Sequence, residues 1–156
     1  MLLLLLVMVV GTCSYMGYLA NYCAEIEAEY IAWLRALVIV GAYVEKTGSW
    51  PASWRDLEKM EGLEEPGWPQ NAEWIKQRIV VDFDADINDL SGQSFQEFSA
   101  IRPRRPNSLC ESPYNREVYV GPLLEAVRHA VARGKRSSNA CRTDVAPSPE
   151  NEPNFP

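Results

Sequence analysis

Residues 47–57 read TGSWPASWRDL: a helix stop, a rigid corner and a helix start in close succession. Thr47-Gly48 closes a long helical pattern, and a glycine just past the last periodic residue is a C-terminal stop because it takes the left-handed conformation without steric cost. Pro51 has no N–H to continue a helix. Ser53 is placed to cap a second helix, with Asp56 three residues on as an approximate capping box, Asp standing where Glu or Gln is usual. That helix is expected over about 54–61, with Trp54, Leu57 and Met60 facing inward and Gly62 as its stop. Trp50 and Trp54 cover the corner. Each ring buries about 150–250 Å² when packed, so a packing role outweighs a ligand-stacking one.

Upstream, residues 24–46 place Ile26, Tyr30, Trp33, Leu34, Leu37, Val38, Val40, Gly41 and Val44 at helical spacing, which gives one broad buried face. No proline interrupts residues 1–50, so the pattern predicts one long helix. Its first part, MLLLLLVMVVGTCSYMGYLANYCA, has no charged side chain before Glu25. An uncharged apolar run of this length spans a bilayer. The leucines and valines together favour insertion by about 3–5 kcal/mol, with Thr12, Ser14 and Asn21 subtracting a part. The run lacks the positive n-region and the small-x-small cleavage site of a signal peptide, so residues 1–23 are expected to be an uncleaved transmembrane anchor. Two alternatives stay open. One is cleavage near Ala24, and the other is lipidation at Cys13, with Val10-Gly11-Thr12-Cys13 as a lipobox that fits poorly at Thr12. Residues 36–44 are too short for a second span.

Downstream, Pro66, Gly67 and Pro69 mark a loop over 64–73. Val81, Phe83, Ala85 and Ile87 then alternate with Asp82, Asp84, Asp86 and Asn88, the period-two pattern of a strand with one wet face. Residues 89–94 are expected as a connecting loop, 95–102 as a second strand ending at Pro103, and 117–120 as a short third strand. Leu123, Leu124, Val127 and Val131 define a last amphipathic helix over 123–133, stopped by Gly134. Residues 135–156, rich in proline and poor in apolar side chains, read as a disordered tail. The expected fold class is α+β. The long N-terminal helix, transmembrane then amphipathic, packs on a small antiparallel sheet of two or three strands with two shorter helices. The expected division is an anchor at 1–23, an extracytoplasmic body at 24–134 and a tail at 135–156.

The chemistry-bearing residues are sparse. With 21 acidic against 15 basic side chains the net charge is −6, which argues against a nucleic-acid partner. Asp82, Asp84 and Asp86 offer hard oxygens of the kind Ca²⁺ takes. As an EF-hand loop they fail, since Ile87 falls where Gly is needed and Gln93 where Glu is needed. The wet face of a strand is the plainer reading, offset by Arg102, Arg104 and Arg105 if the strands pair. His129 is the only histidine and has no positioned nucleophile beside it in the pattern. Cys13 and Cys23 lie about 15 Å apart on one helix, too far to bridge. Cys110 and Cys141 are therefore the one sensible intrachain pair, and a bridge there would add about 3–4 kcal/mol. The four cysteines do not have zinc-site spacing. No catalytic, metal or cofactor site is expected, and the chain does not read as an enzyme.

An apolar N-terminal helix, an amphipathic continuation with Tyr43 near its end, then Gly48-x-Trp50-Pro51-x-Ser53 and a short helix with Leu57, resembles the type IV pilin-like proteins. The likeness is greatest to the pseudopilins of type II secretion. It covers residues 1–62. The Gly-Phe-Thr-Leu-x-Glu processing site and the Glu near the start of the apolar run are absent. The resemblance implies a single-pass anchor in a bacterial inner membrane with the body in the periplasm, and a structural or protein-interaction role. Its implied partners are the lipid bilayer and a homo-oligomer or pilus- or secretion-like assembly. The alternative is a lipidated or secreted binding module using the acidic strand face for a cation.

Overall fold

The computed structural model describes the backbone of residues 2–60 and 67–143, and the side chains of residues 8, 10–60 and 67–135. Helix α1, Leu2–Thr47, is unbroken as the lack of proline requires. One of its faces, through Ala32, Trp33, Ala36, Leu37, Ile39, Val40 and Val44, is the floor of the core. Above it, β1 (Ile79–Val81) pairs antiparallel with β2 (Ile101–Pro103), Val80 opposite Arg102. The final helix, α7 (Gly121–Thr143), lies along α1 and buries Leu123, Leu124, Ala126, Val127 and Ala130. The two helices meet at Gly41, where a Cβ would be in ordinary contact with Leu123 Cδ1 at 3.7 Å. The class is thus α+β, with a long helix and a two-stranded sheet.

The corner forms much as its residues dictate. Gly48 has φ +73° and its N–H reaches Val44 O at 2.9 Å, while the Thr47 hydroxyl donates back to Tyr43 O at 2.8 Å. Pro51 is buried. Trp50 Nε1 donates to Asp82 O at 2.8 Å, and the Trp54 ring meets Phe83 edge-on with centroids 5.7 Å apart. The capping box is only half made. Asp56 accepts from Ala52 N and from the Ser53 hydroxyl, but the Ser53 side chain caps no backbone N–H. Helix α2 is accordingly short, Trp54–Glu58. The expected stop at Gly62 lies outside the described residues. The loop over 64–73 is replaced at its end by α3, Ala72–Lys76, tied to α2 by the Lys76–Glu58 ion pair.

Five expectations downstream are corrected. The alternating 81–87 stretch is a strand only to Val81. Asp82 Oδ1 accepts from Asp84 N at 3.1 Å, and Asp86 Oδ1 accepts from Asn88 N at 2.7 Å. These local turns outcompete the ladder. Asp86 thereby caps α4, Ile87–Gly92, where a loop was expected. Residues 95–100 are irregular and are held by Arg116, which donates to Phe95 O and Phe98 O. The third strand at 117–120 is a π-helical turn, Arg116–Val120, between α6 (Pro113–Asn115) and α7. Gly134 does not stop α7. A helical glycine costs only about 1 kcal/mol, and Ala130, Ala132, Arg133 and Lys135 around it are strong helix formers. Residues 144–156, the rest of the expected disordered tail, lie outside the described residues.

The two glycines predict opposite outcomes in chemical unfolding of the detergent-solubilised chain. Gly48→Ala is expected to lose about 1–2 kcal/mol through its left-handed backbone. Gly134→Ala, in open space within a helix, is expected to gain up to about 1 kcal/mol.

Candidate functional site

Among the described residues, the part of α1 before Glu25 is left uncovered by the body. From residue 8 to Glu25 the described side chains carry no charge and nearly all are exposed, Met8 at 71%, Tyr15 at 60% and Tyr18 at 66%. What order the surface has comes from within the helix. Tyr18 and Tyr22 stack with centroids 6.4 Å apart, and the Thr12 hydroxyl donates to Met8 O at 2.8 Å, which satisfies a polar group without solvent. Cys13 and Cys23 are free thiols on this stretch. Among the described residues no helix is long and apolar enough to cross a membrane. The leucines at 2–6, with Val7 and Val9, lie outside the described side chains.

The body begins one turn after Glu25. Glu29 is buried at 6% exposure, and its Oε1 lies 3.9 Å from Arg105 Nε. Asn107, 1% exposed, donates through Nδ2 to Ile26 O at 2.9 Å and accepts at Oδ1 from Leu109 N at 3.0 Å. It caps α5, Ser108–Glu111, and ties that helix to α1 in one stroke. Cys110 follows as a buried free thiol. Burial, then the carboxylates of Glu29 and Glu111, push it up to about 12 against the opposing pull of Arg116. Cys141, its one sensible intrachain partner, lies outside the described side chains. Burial and the hydrogen bond with Tyr119 likewise push Tyr30 up to about 12. On the other flank of α1 the Trp74 ring sits between two guanidinium groups, Arg78 at 4.7 Å and Arg35 at 5.9 Å. It walls a cleft of about 360 Å³ with Ala24, Glu27, Ala28, Ile31 and Asn71.

The residues singled out from sequence are not gathered into a catalytic arrangement. Asp82 and Asp86 are committed to turns, as above. Among the described residues no group of three or more His, Cys, Asp and Glu is placed to hold a metal ion. Of the three arginines expected to offset the aspartates, Arg102 lines a groove with Asp82 and Asp84, and the other two turn elsewhere. Arg104 Nε donates to Lys76 O at 3.1 Å and Arg105 faces Glu29. His129 lines a shallow groove of about 460 Å³ with Glu45, Ala126, Ala132 and Arg133, where Arg133 donates to Glu45 O. Ser53 is held by Asp56. Glu29 and Asn107 are the polar residues that sequence reasoning passed over. The available signal was Glu29 itself, a carboxylate one turn before Trp33 on the apolar face of the helix.

No family model, no curated protein and no solved structure matches this chain.

The two raised acids fix an alkaline limit. Cys110 ordinarily titrates near 9.0 and Tyr30 near 10.0. Between those values and about 12 the unfolded chain has released protons that the folded chain still holds, so stability falls as pH rises. Urea titrations are expected to show stability flat from neutral pH to about 9 and declining above it, and Cys110→Ala with Tyr30→Phe should flatten much of that decline. A thiol-alkylating reagent at pH 8 should leave the buried Cys110 unmodified until the chain unfolds.

Proposed function

We propose that this chain is a non-enzymatic, single-span membrane protein whose α+β body serves a structural or protein-interaction role in the manner of the pilin-like proteins. The observation that carries the reading is the division of α1. Its second part is consumed by the core, while its charge-free first part is uncovered as far as Glu25. An apolar helix surface left bare by its own domain is an interaction site, and the leucine-rich start of the run favours lipid as the first partner. The corner at Gly48, Trp50 and Pro51 supports the pilin-like comparison, since it ends the long helix and returns the chain onto it. In this reading the anchor sits in a bacterial inner membrane with the body on the periplasmic side. Copies associate through their helices in a homo-oligomer or a pilus- or secretion-like assembly. Cation binding by the acidic segment is the weaker reading, because the carboxylates of Asp82 and Asp86 already serve turns.

The test is the native protein, recovered from carbonate-washed membranes and sequenced from its N-terminus. An intact leucine run in the membrane pellet is the expected result. A soluble chain starting near Ala24, or one starting at a lipidated Cys13, overturns the span. Val9→Arg, nearer the middle of the run, should cost up to about 2.5–3.5 kcal/mol of insertion, and Leu5→Arg, near its end, less. The variants should therefore appear in the wash and lose any oligomer seen by cross-linking. Oligomers that survive both substitutions would remove the helix from the assembly.

A further inference from the structure

The run Arg102-Pro103-Arg104-Arg105-Pro106 is not explained by the fold alone. Residues 102–112 carry three arginines against one acid, Glu111, in a chain of net charge −6. Two contacts fix this segment against α1, from Asn107 to Ile26 O and from Arg105 to Glu29. At helical rise, Ile26 and Glu29 lie within about 6 Å of Glu25 along the axis, where the uncharged run ends. The segment is therefore the rim of the body nearest the bare helix. Asn107 and Cys110 turn inward, while most of the other side chains of the segment are exposed. Arg104 and Arg105 are exposed, and beyond the Nε contacts already described their guanidinium nitrogens have no partner among the described residues. Further along the same stretch Leu109 is 40% and Tyr114 72% exposed, and Asn115 Nδ2 bonds Leu109 O at 2.8 Å, fixing α6 against α5.

We propose that this rim is a bilayer-contact patch for anionic phospholipid, with Arg104 and Arg105 on the headgroup phosphates and Leu109 and Tyr114 in the interfacial layer. The inference rests on the membrane-anchored reading of α1. Charge complementarity selects the occupant. A planar guanidinium matches phosphate geometry, each arginine close to an anionic surface strengthens contact about fivefold, and tyrosine favours the headgroup level. Glu25 and Glu27, exposed on α1 at the same height, repel such a surface. Attraction is thus confined to the arginine side, and the body leans that way on its anchor.

The full chain, reconstituted in vesicles of phosphatidylcholine alone or with about one third phosphatidylglycerol, is followed by amide hydrogen exchange. The expected result is exchange over residues 104–114 slowed about fivefold or more by the anionic lipid. The slowing should be reversed by high salt, lost in R104Q/R105Q and retained in R104K/R105K. Equal exchange in the two lipids overturns the proposal. So does protection that is indifferent to both lipid charge and the arginines, which would point to a second copy covering the rim. A chain that fails to float with either vesicle overturns it through the anchor instead, and flotation read in the same samples separates that failure from the others.

Discussion

Trp33 joins the two halves of the architecture. Its indole is 2% exposed on the inward face of α1, and its N–H donates to Ile101 O at 3.1 Å, in the strand that completes the sheet. A buried indole needs such a partner, and here the partner is the sheet backbone itself. The bond fixes β2, and through it β1, over one stretch of the helix. Trp50 repeats the device from the corner by donating to Asp82 O as the chain leaves β1. Two tryptophan N–H groups on or just after one helix thus position a sheet too small to be stable alone. Arg116 and Arg128 do the same for the irregular connections, donating to carbonyls of residues 95 and 98 and of 91 and 93.

The result is a body built on only part of its longest element. Every exposed tyrosine and methionine on the charge-free stretch forfeits burial worth about 25 cal/mol per Å². The uncovered stretch acquires a purpose when its surroundings are lipid or a neighbouring helix. The buried Glu29, its Arg105 partner and the double bond of Asn107 stand at the boundary between covered and uncovered helix. Polar groups concentrate where the body meets whatever surrounds the bare half.

The helix, its stop and the corner were legible because their signals are local. Gly48, Pro51 and the spacing of Trp33, Leu37, Val40 and Val44 act within a few residues. Residues 82–88 misled because alternation is also what a series of Asx turns looks like. Side chains of Asp82 and Asp86 that bond two residues on end the strand and cap a helix, and period two does not distinguish the outcomes. The 117–120 stretch has β-branched residues typical of a strand, yet Pro113 starts a helix and the turn continues into α7. Asn107 was illegible for another reason. Its partner, Ile26 O, lies 81 residues away, and nothing in the pattern of either segment encodes the pairing.

The central claim is that α1 is one rigid rod shared between the body and its environment. It is tested most directly by the distance between spin labels at Val10 and Val38, both exposed, in the membrane-reconstituted chain with Cys13, Cys23, Cys110 and Cys141 replaced by serine. A continuous helix places these positions about 42 Å apart, and the account predicts one narrow distribution near that value. A broad distribution, or one centred well below it, would mean that the helix breaks between its bare and buried parts, and the division on which the functional reading rests would fail.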